Sequence, residues 1–228
     1  MSDNNRAETS HNKNCALGLA ALRVTNDAMK KILVATGNKH KTGEIRAMLG
    51  AGWLVEDLSD HPHLPSPVED GATFSDNAKI KALAGSRKLP GMLVLSDDSG
   101  LEVDALNGAP GVKSARYAGD GATDADNRER LKRDLNSLIK NGTTGPFKGR
   151  FCCCMVLAQN GIPQGEFHGA VEGRLLLEEE GSGGFGYDAL FVPEGYENSF
   201  GVLSAEIKNG LSHRARALAK VIAYLNEG

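Results

Sequence analysis

A chain of 228 residues is long enough for one large domain or two small lobes, and too short for an assembly of independent enzymes. With 40% hydrophobic and 24% charged residues, disorder is excluded for the bulk of the chain, and 26 basic against 29 acidic residues leave no global cationic field for nucleic acid or an anionic membrane. Any polyanion must therefore be small and gripped locally, and the 28 glycines, clustered with Pro, Ser and Asp, suggest the functional loops that would do so.

Residues 1–28 are polar and Asn-rich apart from a weak apolar patch at 15–22, and read as a flexible N-terminal extension ahead of a single domain at 29–228. KKILVAT then gives a short apolar strand, Gly37-Asn38 breaks it, and KTGEIRAML places Ile45, Met48 and Leu49 at helical spacing. After a Pro-rich link, FSDNAKIKALAGSRKL reads as a helix with Phe74, Ala78, Lys81 and Ala82 on one face, ended by Pro90-Gly91. MLVLSDDSGLEVDAL reads as a buried strand that runs into a carboxylate-rich turn and emerges as a second strand alternating on Leu101, Val103 and Ala105. Thr123 and Asp126 form a capping box before a helix carrying Leu131, Leu135, Leu138 and Ile139. RFCCCMVLA and EFHGAVEG pair around an Asn160-Gly161 turn, and SHRARALAKVIAYL closes the chain as an amphipathic helix on Leu211, Leu218, Val221, Ile222 and Leu225. Interleaved strands and helices with one hairpin predict a mixed α/β sheet.

No apolar run reaches the roughly 18 residues of a membrane span, and no apolar signal core opens the chain. Its four cysteines are Cys15 and the run Cys152, Cys153 and Cys154, which suits a reducing cytoplasm. Neighbours in a strand cannot all aim at one metal, so the run reads as apolar packing. His61 and His63 read as solvated loop residues, because two histidines do not complete a zinc site.

Four stretches carry chemistry. Thr36, Gly37, Asn38, Lys39, His40 and Lys41 lie where a strand gives way to a helix, so free amides and lysines there can cradle phosphates, the plainer alternative being an ordinary turn with solvated lysines. Ser96-Asp97-Asp98-Ser99-Gly100 puts carboxylates at the end of a buried strand, where they need hydrogen bonds or a hard cation; one aspartate enters the site and the other anchors the turn, unless the segment is only an Asx-type turn. GSGGFGYD offers close backbone approach and, at Phe185 or Tyr187, a flat face for a base, against the commoner reading of loop glycines and core aromatics. Lys208, His213 and Arg214 flank Ser212, which can cap the last helix; cations in that first turn oppose the helix dipole, which hints at use in place of mere solvation.

Taken in order, TGNKHK, the 69–78 block EDGATFSDNA with Lys81, SDDSGLEVDAL, GAPG, SARYAG, GGFGYD and EIKNGLSHR resemble the inosine triphosphate pyrophosphatase family across residues 30 to 226. The resemblance implies an elongated, two-lobed mixed-sheet α/β fold with a nucleotide cleft between the lobes, a cytoplasmic homodimer binding neither nucleic acid nor membrane, and Mg²⁺-dependent cleavage of ITP, dITP and XTP to the monophosphate and pyrophosphate. Carried onto this chain, it assigns Thr36, Gly37, Asn38, Lys39, His40, Lys41, Lys81 and Ser99 to the phosphates and sugar. Glu69 and Asp98 go to the metal, Asp98 also to proton acceptance, and Phe185, Gly186, Tyr187, Asp188, Lys208, His213 and Arg214 to the rest of the nucleotide. A 6-carbonyl on the base suits donors such as Arg214, whereas the 6-amino group of adenine does not. The chain departs from the family pattern at Asp76, Ala189 and His40. A sensor that binds the triphosphate without cleaving it is the rival reading, and it has no use for Glu69 and Asp98.

Overall fold

The structure is a computed structural model that describes residues 29–64 and 67–227, so the expected extension at 1–28 lies outside it. Strand β1 (Lys30–Val34) buries Ile32, Leu33 and Val34 completely, the pattern of a strand covered on both faces. It pairs in parallel with β2 (Trp53–Asp57) on one side and with the first part of β3 (Leu93–Val103) on the other. From β3 onward the sheet is antiparallel through β4 (Phe147–Gln159), β5 (Ile162–Leu175) and β6 (Phe191–Pro193), giving the order β2-β1-β3-β4-β5-β6 and the mixed sheet expected. Asn160 and Gly161 make the β4–β5 turn with φ of 53° and 75°, the two positive values that a two-residue hairpin loop requires.

Helix α2 (Phe74–Lys88) covers one face of the sheet; α1 (Lys39–Leu49) and α5 (His213–Glu227) cover the other. Along β4, Cys154, Val156 and Ala158 pack with Ala78 and Ala82 of α2, while Cys153, Met155 and Leu157 pack towards Ala217, Leu218 and Val221 of α5. This two-sided burial is why CCCMVLA is apolar without alternation, and the cysteines within it do pack. Beyond the point where β1 stops pairing, β3 to β5 run on into a second core around Leu101, Phe151, Leu190 and Phe191, closed by α3 (Asp124–Lys140). Thr123 and Asp126 cap α3 reciprocally, as expected, and Thr73 and Asp76 do the same for α2.

Three elements differ from the sequence reading. SDDSG is no turn but the middle of the continuous strand β3, because its polar side chains find partners beyond the strand: Ser96 Oγ donates to the Ala78 carbonyl (2.6 Å), the two aspartates are paired with cations, and Ser99 accepts from Arg214 while donating to Asp97. The last helix is broken at Ser212, which leaves Leu211 in a separate short helix α4 (Ala205–Leu211). Strand β2 is additional; its WLVED pattern shows neither alternation nor a continuous apolar run.

Where α5 crosses the hairpin, β5 has Gly169. A methyl group there would lie 2.1 Å from the His213 carbonyl oxygen and 2.5 Å from the Ala217 amide nitrogen, both backbone atoms that cannot swing aside. Gly169→Ala is therefore expected to lower unfolding stability by about 2 kcal/mol or more as α5 is pushed off the sheet. Chemical denaturation checks this, and a midpoint equal to the parent's would show that α5 has room to spare.

Candidate active site

Because β1 pairs with β3 only as far as Leu95, the edge of β3 is free of strand partners from Asp97 until Glu102 bridges to Pro110, and a cavity of about 330 Å³ lies beside it between the two cores. Crevices of open α/β sheets form where strand connections diverge in this way. Adjacent β3 residues face opposite sides, so Asp98 enters the cavity beneath α2 while Asp97 points to α1 and α5. One aspartate enters and one anchors; what Asp97 anchors is two helices, not a turn.

At one end of the cavity lies the loop after β1. Thr36, Gly37, Asn38 and Lys41 line it, whereas Lys39 and His40 are exposed and stay outside the lining. Asn38 is the N-cap of α1, and its Oδ1 accepts from the amides of His40 (2.9 Å) and Lys41 (3.2 Å), so two amides expected to face phosphate are already bonded. Lys41 Nζ reaches Asp97 at 2.5 Å. Glu69, on the link before α2, and Asp98 converge on the Lys81 ammonium, at 2.9 and 2.8 Å. Asn77, one helical turn before Lys81, donates to the other Asp98 oxygen at 3.3 Å. Burial pushes the Asp98 carboxyl above its usual value, with the Lys81 charge opposing. Two carboxylates that share a cation at the edge of an open cavity, with the remaining positions left to phosphate and water, form the hard-oxygen donor set on which Mg²⁺ sits in nucleotide enzymes. These residues fit such an ion.

At the other end, Phe185 is a half-buried ring with the Lys208 ammonium 4.6 Å and the Arg214 guanidinium 5.7 Å from its centroid, while the exposed His40 stacks on it at 5.2 Å. The two aromatics expected as a base platform both line the cavity, and Phe185 has the more exposed ring. Tyr187 is buried and gives its hydroxyl hydrogen to the Ser114 carbonyl at 2.8 Å. The glycine loop is held from below: Gly186 donates to Asp124 Oδ2 (2.7 Å) at the start of α3, and Asp188 accepts from the Phe185 amide (2.7 Å) and from Lys208 (2.6 Å). Burial pushes the Asp188 carboxyl up, against the pull of Lys208.

Arg214, 1% exposed, binds Asp97 through Nε (2.9 Å), Ser99 through Nη2 (2.9 Å) and Glu44 of α1 through Nη1 (2.5 Å). Glu44 also takes Lys208 at 2.7 Å. Burial works to raise the Asp97 carboxyl, but Arg214 and Lys41 outweigh it and hold it well below the usual carboxylate range. His213 is buried, lines the cavity and is stacked on Phe151 at 4.9 Å, and its buried Nδ1 has no hydrogen-bond partner among the described residues. Burial and the neighbouring Arg214 charge keep that ring neutral. Glu44, Asn77 and Asp124 were not singled out from the sequence for these contacts. For Glu44 a signal existed: it follows Lys41 by one turn of α1 and so shares its face.

Lysines and paired carboxylates at one end of a sheet-edge crevice, and a cation-flanked aromatic at the other, make this a nucleotide-hydrolysing α/β enzyme. The chain belongs to the Ham1 family, whose model matches residues 32–224, in keeping with the resemblance carried by its motifs. A dITP/XTP pyrophosphatase of Desulforamulus reducens is 43% identical over 200 residues, 86% of this chain and 96% of its own. One from Halalkalibacterium halodurans is 42% identical, over 87% of this chain and 100% of its own. Among solved structures, a HAM1 protein from Coxiella burnetii superposes with a TM-score of 0.77 at 33% identity, covering 88% of this chain and 100% of that one. A nucleoside-triphosphatase, dITP/XTP pyrophosphatase, from Mycobacterium abscessus does so with 0.66 at 38% identity, covering 84% and 98%.

Proposed function

We propose that the protein hydrolyses the non-standard purine triphosphates dITP, ITP and XTP to the monophosphate and pyrophosphate, with attack of water at the α-phosphorus. One observation carries this reading: a single cavity joins the Glu69–Lys81–Asp98 cluster to the cation-flanked ring of Phe185, so a polyphosphate and a purine can be held at once. Thr36, Lys81 and Ser99 bind and orient the phosphates, with Lys39 reaching in from outside. Glu69 and Asp98 would hold Mg²⁺, which, when bound, supplies charge neutralisation on the phosphates and makes water more acidic. Asp98, its proton affinity raised by burial, accepts the proton of the attacking water.

Phe185 stacks on the base. The unpartnered Nδ1 of His213 and the Nη1 hydrogen that Arg214 does not spend on Glu44 meet polar atoms at the ring's edge, Arg214 acting as donor to a 6-carbonyl. A 6-amino group presents a donor to that donor, so ATP is rejected. The reading includes a homodimer in the cytoplasm; among the described residues no helix is long and apolar enough to cross a membrane.

Incubation with a panel of nucleoside triphosphates, with products resolved by chromatography, tests this. The expected result is pyrophosphate from ITP, dITP and XTP, with kcat/KM for ATP lower by at least about 100-fold. Comparable ATP turnover would refute the base assignment, and binding without turnover would make the protein a sensor.

A further inference from the structure

The hairpin that supports the cleft carries a second group of ligating side chains on the α2 face of the sheet. Cys154 on β4 stands directly opposite His168 on β5, and Glu166 lies two residues before His168, opposite Val156. Period-two alternation puts all three side chains on one face as a cross-strand pair and its diagonal neighbour. Their ligating atoms all lie within 4.8 Å of one another; Glu166 Oε1 is 2.9 Å from His168 Nε2 and 3.8 Å from Cys154 Sγ. We propose that Cys154, Glu166 and His168 form a binding site for a thiophilic divalent cation of the Zn²⁺ class, separate from the nucleotide cleft.

The geometry needs little adjustment. With metal–sulfur bonds near 2.3 Å and metal–nitrogen or –oxygen bonds near 2.0–2.2 Å, tetrahedral donors sit roughly 3.3–3.7 Å apart. The Glu166–His168 pair has to open by roughly half an ångström, the Cys154–Glu166 pair to close by a few tenths, and Cys154 and His168, within 4.8 Å of one another, to close by up to about 1 Å. Cys154 is buried and forms the floor, while His168 and Glu166 are at the surface, so an ion enters from solvent and keeps one open position. The carboxylate is held from outside: Ser75 Oγ donates to Oε1 at 2.7 Å, and Lys79 Nζ sits 2.7 Å from Oε2, on the far side from the imidazole bond. Lys79 and Ser75 pull the Glu166 carboxyl down to about 2, so it is an anion throughout the neutral range. Outer partners of this kind fix the orientation of ligating groups. The Lys79 charge also opposes an incoming cation, which limits affinity. On binding, the metal–sulfur bond replaces the Cys154 S–H bond, and the proton leaves to solvent.

The site differs in chemistry from the cleft, where only oxygen donors face the cavity from Glu69 and Asp98. A thiolate and an imidazole select a softer ion than Mg²⁺. The two places are nevertheless neighbours on one row of the sheet, since Asp98 on β3 is directly opposite Cys154. Helix α2 serves both, with Ser75 and Lys79 directed to Glu166 and Asn77 and Lys81 directed to Asp98.

The test uses the full-length protein stripped with a chelator and then held in excess Mg²⁺, so that the oxygen-lined cleft is filled. Co²⁺ alone is titrated while the visible and near-ultraviolet spectrum is followed, and Zn²⁺ alone is titrated by calorimetry. One equivalent of each should bind, with a thiolate-to-cobalt charge-transfer band that zinc abolishes. The exposed His168→Ala, which leaves the core intact, and the buried Cys154→Ser should each weaken binding by at least about 100-fold, beyond the 10–100-fold typical of losing an outer partner. Cys152→Ser should leave binding unchanged. Absence of a charge-transfer band, or a band that survives His168→Ala, overturns the proposal.

Discussion

Replacing Asp98 by Asn is expected to lower turnover of ITP by at least about 100-fold, the scale on which a proton acceptor or metal-holding carboxylate matters. The substitution keeps the shape of the side chain, but its one carbonyl oxygen can accept from Asn77 or from Lys81 and not from both, and the charge that Lys81 shares with Glu69 is lost. Stability should move the other way. Burial raises the Asp98 carboxyl above its unfolded value, so at neutral pH the folded protein holds an anion less comfortably than the unfolded chain does. Asp98→Asn removes that cost, and its denaturation midpoint should equal or exceed the parent's. A poorly active, fully stable variant would fit a residue kept for chemistry. Near-parental turnover measured by pyrophosphate release would strip Asp98 of its role.

The neighbouring aspartate should give the opposite result. Asp97 is 0% exposed and is the counter-charge for both Arg214 and Lys41. Asp97→Asn leaves a buried guanidinium with Glu44 as its one remaining carboxylate, and removing one partner from a buried ion pair typically costs about 3–5 kcal/mol. The carboxyl is depressed in the fold, so its contribution is complete above the unfolded value near 3.9 and fades as pH falls from there towards the folded value. Wild type should therefore lead the variant by the full margin at neutral pH and lose that lead only in acid. Urea unfolding of both proteins at several pH values measures it; a constant gap across the acid range, or a gap below about 1 kcal/mol at neutral pH, contradicts the assignment.

The features legible in sequence are those whose causes are local. The Asn160-Gly161 turn, the capping box at Thr123 and Asp126, and the strand-to-helix passage at Thr36 to Asn38 each depend on residues within a few positions of one another, and all three stand as read. SDDSG misled for the opposite reason. Asp, Ser and Gly are turn formers when considered alone, yet here they are extended because Arg214, Lys41, Lys81 and the Ala78 carbonyl satisfy them from distant parts of the chain. Tyr187 illustrates the same limit at the site: its ring looks like a base platform in GGFGYD, but a carbonyl 73 residues away, that of Ser114, draws it into the wall. Ser212 caps the last helix as read, its Oγ accepting from the Ala215 amide at 3.2 Å, but α4 before it escaped notice because Leu211 continues the apolar stripe and so short a helix has too few turns to show a period of its own. Asp76, one of the expected departures from the family pattern, closes the capping box of α2, its carboxylate accepting from the Thr73 amide at 3.1 Å.

Arg214 lies 117 residues after Asp97 and 170 after Glu44, so the cage of charge at the Phe185 end of the cavity is completed by a segment made long after the partners it pairs with. A nascent chain can form β1, α1 and β3 before α4 and α5 have been made, but at that stage Asp97 has Lys41 without Arg214 and nothing presents Lys208 or Arg214 to the ring of Phe185. The Phe185 end of the cavity thus matures after the Glu69–Lys81–Asp98 end, whose partners all lie within residues 69–98. A chain that stops before His213 should leave Asp97 and Glu44 without Arg214, so that the open end of the crevice has no finished wall.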